Sequence, residues 1–580
     1  MIQTFVGKSQ QSKTARSLLP GTLWIIPLGF LALFYFYPLG SILVLSFARS
    51  KGGILSPFLE ALRSPAILRT LGFTVFQAGL STLLTLSLGL PGAFLLARYK
   101  FQGKSLLQAL AGIPFVMPTL VVAAAFYALL GPRGWVNLFL MHLFDLANPP
   151  LQIINTFYAI LIAHVFYNTT IVLRMVGDYW SHLDPRLVQA ARTLGSTPWE
   201  AFRKVSLPLL TPSISAAALL VFIFDFTSFG VILVLGGPRF ATLEVEIYYQ
   251  TISLFNLPLA AVLSILQLIS TLTLTVLYTR LASRLARPFK LRPQRYTQAR
   301  LVSWQSRLFA SVTILAILML LIAPLAALAV RSFVQLEPAR GERGVFHQGF
   351  TLDFYRELTK NRTGSLFYVP PTTSMLFSLI YAAATVIISL GIGLPAAWVL
   401  ARDSDSRLNR SLDPILMLPL GTSSVTLGLG FIVALNRPPL DLRASPVLIP
   451  IAHSLVAFPF VIRSLTPALR SIQPRLREAA AMLGASPFAI IQRIDLPLIS
   501  RALLVAATFA FTISLGEFGA TALVARPEYP TLPIMIYRYI SQPGALNYGQ
   551  ALAMSTILML VAAGGMLAIE KFRIAEVDEF

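Results

Sequence analysis

The sequence predicts an all-α membrane protein of about twelve transmembrane helices, arranged as two parallel, pseudo-symmetric six-helix halves. Three observations predict it: a composition that water cannot solvate, apolar runs of membrane-spanning length, and a chain that repeats itself once at a fixed offset.

The composition sets the solvent. Of 580 residues, 56% are hydrophobic and only 12% charged, where a soluble domain carries roughly 25% charged residues. A chain this long and this poor in charge needs lipid around it. The net charge of +22 comes from 46 Lys and Arg against 24 Asp and Glu. These basic residues fall between apolar runs and do not gather on one soluble face, so they read as loop bias on a membrane protein and not as a nucleic-acid surface. There are no cysteines, which excludes thiolate metal sites, disulfides and cysteine catalysis.

Apolar runs able to cross about 30 Å recur twelve times. They lie near 20–47, 69–97, 107–130, 153–175, 207–236 and 257–282, then near 308–332, 370–401, 411–436, 447–466, 498–525 and 549–572. The first follows a basic stretch with Lys8, Lys13 and Arg16 and no acid, is longer than a signal-peptide core, and is expected to be a retained span. Between the sixth and seventh runs stand Arg280, Arg284, Arg287, Lys290, Arg292, Arg295, Arg300 and Arg307 without an acidic residue. That bias places this linker in the cytoplasm, and with an even number of spans both termini follow it there. The loop with Glu244 and Glu246 and the mixed-charge segment 333–369 are expected outside. The expected organisation is a first domain over 1–285, a basic linker over 286–306 and a second domain over 307–580.

The two halves are copies. Gln189-Ala190-Ala191, Gly195 and Leu207-Pro208 recur as Glu478-Ala479-Ala480, Gly484 and Leu496-Pro497, each 289 residues later. The same offset of 289 carries His164 onto His453, Phe229-Gly230 onto Phe518-Gly519, Pro238 onto Pro527 and Thr242-Leu243 onto Thr531-Leu532. Upstream, Gly89-Leu90-Pro91 matches Gly393-Leu394-Pro395 at an offset of 304. With six spans in each half the copies keep one orientation, as parallel repeats about an axis along the membrane normal.

The repeated segments, 176–206 and 465–495, have the makings of an exposed helical hairpin. Gly195 and Gly484 suit the position just past a helix C-terminus, and Pro198 and Pro487 suit the start of a second short helix. The pattern Glu-Ala-Ala, three residues, Gly, nine residues, Ile-x-Leu-Pro resembles the signature of the permeases of binding-protein-dependent bacterial ABC importers, and the resemblance extends over nearly the whole chain. The second copy meets every fixed position; the first departs at Gln189 and Val205.

The resemblance implies the type I importer permease fold in a bacterial inner membrane. It further implies that Gln189, Ala190, Ala191, Gly195, Leu207 and Pro208, with Glu478, Ala479, Ala480, Gly484, Leu496 and Pro497, dock two copies of a separate ATPase. That ATPase would hold ATP and magnesium, leaving this chain without a cofactor. A periplasmic or lipid-anchored binding protein is the other implied partner. Single-chain permeases with two such loops resemble the ferric-iron and thiamine branch, so ferric iron or thiamine is the expected substrate. A polyamine, sulfate or another small solute stays open within the same class. A secondary transporter with parallel six-helix repeats is the rival class, but it has no need of two docking loops at one spacing. No phosphate-binding Gly-x-x-x-x-Gly-Lys-Ser/Thr loop occurs, nor any catalytic constellation that would make the chain an enzyme.

Polar groups inside the spans are costly and usually face a cavity or a partner. His164, Asn168, Asp225 and Ser228 in the first half, with His453 and Glu517 in the second, are the candidates for the translocation pathway. Interhelical hydrogen bonding is the competing role for the histidines, and neither has the neighbouring ligands a metal would need. The segments 226–230 and 516–519 combine small and polar residues inside long spans and are expected to unwind or to pack closely.

Overall fold

The computed structural model describes residues 23–47, 56–237, 239–285, 297–336, 349–361, 368–402, 406–436 and 440–577. Pro238, the basic N-terminal stretch and the linker residues 286–296 lie outside them. Among the described residues ten helices are long and apolar enough to cross a membrane, or twelve if each of two bent pairs is one span. These match the twelve runs read from the sequence, with two revisions.

The run at 107–130 is broken. Helix Lys104–Val116 stops at Met117-Pro118, and Thr119–Leu130 starts anew. Its repeat partner breaks at the same register: Arg407–Gly421 and Ser424–Ala434 meet at 94°. There Ser423 caps the second piece, its hydroxyl accepting from the amides of Val425 and Thr426. The fifth and eleventh runs stop at the polar segments singled out above. Leu207–Phe226 gives way to Gly230–Leu235, and Ser500–Gly516 to Gly519–Val524.

Each half is held by a close crossing of its second and fourth spans. A Cβ on Gly89 would lie 2.7 Å from Val172 Cβ, and one on Gly393 would lie 2.7 Å from Val461 Cγ1. Val172 and Val461 are themselves repeat mates, so the Gly-Leu-Pro motif marks one packing contact used twice.

The compact units do not follow the sequence halves. One contains the described part of 1–49, 365–532 and the chain from 564, and the other contains 50–364 and 533–563. Inside the first unit, the first span, 25–47, packs on second-half spans: Tyr35 Oη is 2.6 Å from Thr422 Oγ1, and a Cβ on Gly430 would meet Pro38 Cβ at 2.9 Å. Inside the second unit, Trp304–Leu321 packs on first-half spans, with Phe309 against Phe94 at 5.9 Å between ring centroids. The boundary expected between 285 and 307 therefore separates the repeats but not the packed bodies. Hydrophobicity cannot tell these partners apart, because lipid is as apolar as either; shape and small residues decide.

Glu244 also departs from expectation. It lies on helix Leu243–Tyr248, fully buried, and accepts from Gln267 Nε2 at 2.9 Å, so it is not part of a solvated loop.

Candidate coupling loops and intramembrane clasps

Both repeated segments fold as the expected hairpins. In the first, Pro185–Thr193 is followed by Pro198–Ala201; in the second, Pro474–Met482 is followed by Pro487–Ile490. Proline opens all four helices, where its missing N–H costs nothing. Each first helix ends in the same closure. Ser196 N–H donates to Ala191 O at 3.1 Å and Gly195 N–H to Arg192 O at 3.0 Å; Ala485 N–H donates to Ala480 O and Gly484 N–H to Ala481 O, both at 3.0 Å. This paired 6→1 and 5→2 closure needs a left-handed residue, and Gly195 and Gly484 supply it with φ of +90° and +82°. Among the described residues, no atom beyond the adjoining ones lies within 4 Å of a Cβ built at either glycine. The glycines are therefore required by the turn and not by a neighbour in this chain.

Gln189, Ala190, Glu478 and Ala479 are exposed, and Ala191 and Ala480 half-buried. Leu207, Pro208 and Pro497 are exposed and Leu496 half-buried where each hairpin enters the next span. Beside them stand apolar side chains that the sequence reading passed over. Leu194 and Leu483 are both 88% exposed, and Trp199 and Phe488 are 67% and 73% exposed. Each pair is separated by the repeat offset of 289, and that recurrence was the available signal. In the first loop a capping box closes the second helix: Thr197 and Glu200 bond each other's backbone amides. The Thr197 amide and hydroxyl, with Lys204 nearby, hold the Glu200 carboxyl below its usual range.

A one-turn π-helix follows each hairpin at the same register, Phe202–Ser206 and Ile491–Asp495. Such widened turns recur at functional sites and at bends. In the second half this segment leads into a 74° bend between Pro487–Leu498 and Ser500–Gly516.

The intramembrane candidates assemble into two buried clasps. In the first half His164 Nδ1 is 3.3 Å from Asp225 Oδ1, and its Nε2 is 2.9 Å from Ser228 Oγ. Asn168 Nδ2 donates to the same Asp225 oxygen at 2.7 Å, and Gln77 Nε2 donates to the Asp225 carbonyl at 2.7 Å. In the second half His453 Nδ1 is 2.8 Å from Ser514 Oγ, and its Nε2 is 3.3 Å from Glu517 Oε2. Glu517 also caps the short helix beyond the break, its Oε1 accepting from Ala520 N and its Oε2 from Thr521 N and Oγ1, at 2.8, 3.1 and 2.7 Å.

Offsets of 289 pair Asp225 with Ser514 and Ser228 with Glu517. Each histidine thus bridges the same two positions of the broken span, one acid and one hydroxyl, and the acid changes sides of the ring between the halves. His164, Asn168, Asp225 and His453 are all buried, Glu517 nearly so, and Ser228 half-buried. The arrangement ties the fourth span to the break in the fifth, and the tenth to the break in the eleventh, by interhelical hydrogen bonds; in the first clasp Asp225 Oδ2 and Gln77 Oε1 are left without a partner among the described residues.

Comparison with known proteins gives the family. The thiamine transport system permease protein ThiP of Brucella abortus (strain 2308) is 28% identical over 518 residues, covering 88% of this chain and 89% of its own. The protein of the same name from Escherichia coli (strain K12) is 27% identical over 491 residues, covering 82% and 84%. A crystal structure of a bacterial ABC transporter involved in the import of the acidic polysaccharide alginate aligns with 49% of this chain and all of its own, at 16% identity and a TM-score of 0.39. Residues 89–287 and 393–572, one stretch in each half with its hairpin and its clasp, match the family described as the binding-protein-dependent transport system inner membrane component. With more than half of its length matched in two copies, the chain belongs to that family, as a multi-pass permease in which both halves are fused.

Proposed function

We propose that this chain forms the translocation pathway of an ABC importer for thiamine. Its two hairpins would dock two copies of a separate ATPase, and a periplasmic or lipid-anchored binding protein would deliver the substrate. The observation that carries the docking role is the duplicated hairpin: one closure, one glycine at positive φ and one set of exposed apolar side chains, repeated in a chain that shares its family. Leu194, Trp199, Leu483 and Phe488, stranded in water, would fill apolar hollows on the ATPase. ATP and magnesium would be held there and not by this chain. The clasped breaks at 227–229 and 517–518 would line the pathway, with the histidines fixing their geometry from behind. Both termini would lie in the cytoplasm. Thiamine is preferred to ferric iron because the two relatives above, aligned over most of their length, carry it in their names.

Thiamine uptake by cells lacking their own transporter is the test. Co-expression of this chain with its ATPase and binding protein should restore uptake of labelled thiamine, unaffected by excess ferric iron. Restored ferric-iron uptake without thiamine uptake would overturn the substrate.

The two loops should be unequal. Glu478 is charged and Gln189 is not, and a charge-assisted hydrogen bond is roughly twice as strong as a neutral one. Glu478→Gln is expected to loosen the ATPase more than Gln189→Ala does, and Gln189→Glu to be tolerated. Co-purification over a salt series checks this, because screening acts within about 10 Å at 0.1 M. Wild-type retention by Glu478→Gln at every salt concentration would remove the asymmetry and leave the docking role standing.

A further inference from the structure

The two hairpins are attached to their spans by different chemistry. In the first half the joint is a run of aromatic rings. Trp180 packs on Phe94 of the second span at 5.1 Å between centroids and on Phe202 of the π-turn at 6.2 Å, and Phe202 stacks on Trp199 at 5.5 Å. In the second half the joint is ionic. Asp495, the last residue of the π-turn, is buried, with its side chain 1% exposed. Arg477 of the hairpin helix donates from Nε to Asp495 Oδ1 at 2.6 Å. Trp398 of the eighth span donates from Nε1 to Oδ2 at 3.1 Å, and Arg402, one turn on, approaches Oδ2 at 3.9 Å. Arg402 also lies over the Trp398 ring, 3.9 Å from its centroid.

The repeat mates of Asp495, Arg477 and Trp398 are Ser206, Val188 and Phe94, so the first loop lacks the buried carboxylate and its two hydrogen-bond donors; it keeps only Arg98, the mate of Arg402, which donates to Leu183 O at 3.2 Å. A buried carboxylate is expensive unless its partners satisfy it. Here one carboxylate on the hinge is satisfied from two other elements at once: the hairpin helix, through Arg477, and the end of the span that crosses the core of that half, through Trp398 and Arg402. Such a group has one stable geometry, and a displacement of the hairpin is passed to the span through it.

We propose that Asp495 is a positioning residue for coupling: it locks the second hairpin to the cytoplasmic end of the eighth span, so that the second loop transmits through a charged joint and the first through an aromatic one. This rests on the docking role proposed above. Asp495 would touch neither ATPase nor substrate; it acts through Arg477, the neighbour of Glu478.

The test uses the complete importer, purified with its ATPase and binding protein and reconstituted in liposomes. The readout is substrate imported per ATP hydrolysed. Asp495→Asn is expected to keep its ATPase on purification and to lower that ratio about tenfold, the scale of one lost hydrogen bond to a charged group. Arg477→Gln should do the same, and the double variant should be no worse than either single one, since both remove one contact. Asp495→Glu should recover part of the ratio, and Ser206→Ala in the first half should leave it unchanged. Should Asp495→Asn fail to assemble, Trp398→Phe removes the indole bond to Asp495 while keeping an aromatic ring beneath Arg402, and recreates the residue found at Phe94; a ratio lowered at normal complex yield is then the expected result.

A wild-type ratio in Asp495→Asn, or in Trp398→Phe where that variant stands in, would overturn the proposal. So would a loss of complex with the ratio unchanged in what remains, or additive effects of the two single variants. Failure of the underlying docking role looks different: the unmutated chain would not retain an ATPase at all.

Discussion

Gly484→Trp is expected to reduce uptake to background while the chain still inserts and folds. The turn at Gly484 has φ of +82°, and a residue with a Cβ pays roughly 1–2 kcal/mol to hold that conformation. Among the described residues no atom beyond the adjoining ones lies within 4 Å of a Cβ built there, and insertion rests on apolar runs elsewhere. Any loss beyond the backbone strain must arise where the exposed turn meets its partner. Gly484→Asn separates the two terms, because asparagine visits the left-handed region more readily than other side chains. It should keep most of the uptake if the turn alone matters, and little if the partner's surface needs a bare backbone. Reconstituted uptake and ATP hydrolysis, with a thermal melt of the permease alone, read both. Wild-type uptake by the tryptophan variant would contradict the docking role.

The largest effect on stability is expected at the second clasp. Glu517→Ala would leave His453 without its acid and strip the cap from helix Gly519–Val524, whose Ala520 and Thr521 amides it satisfies. A buried partner left unsatisfied costs about 1–3 kcal/mol, and more for a charged group; the missing cap adds about 0.5–2 kcal/mol. The expected result is a clear fall in the melting temperature of the purified permease, larger than for Asn168→Ala, which removes the single bond to Asp225. The exchanged positions allow a constructive version. Asp225→Ser alone should destabilise the first clasp. Adding Ser228→Glu rebuilds the second half's arrangement and should restore part of the loss. The recovery is partial because Ile232 stands where the second half has Thr521. No recovery would mean that the two clasps are not interchangeable.

Much of this was legible in the sequence, for physical reasons that also set the limit. Span number follows from the thickness of lipid, so the apolar runs marked the spans but not their breaks, at 117–118, at Ile322, at 422–423 and at the 74° bend after Leu498. The offset of 289 located both hairpins and both histidines, because duplicated sequence keeps its spacing. What the sequence did not disclose depends on three-dimensional partners. The exchange of the first and seventh spans between packed units leaves no trace in hydropathy, since equally apolar helices compete on shape. The acid that changes sides around the histidine looked like a mismatch, Ser228 against Glu517, until the ring linked four positions. Asp495 occupies the variable place in Ile-x-Leu-Pro, where the pattern assigns it no role; only its contacts with Arg477 and Trp398 reveal a buried joint. The burial of Glu244 escaped the sequence for the same reason, its partner Gln267 lying on the next span.

Both hairpins are expected to face the cytoplasm and to dock an ATPase. The chain has no cysteine, so Leu194→Cys and Leu483→Cys, at positions 88% exposed, report without background. A membrane-impermeant maleimide should label both in inverted vesicles and neither in right-side-out ones, and bound ATPase should protect both. Labelling of the two positions from opposite sides of the membrane, or labelling undiminished by the ATPase, would contradict the account.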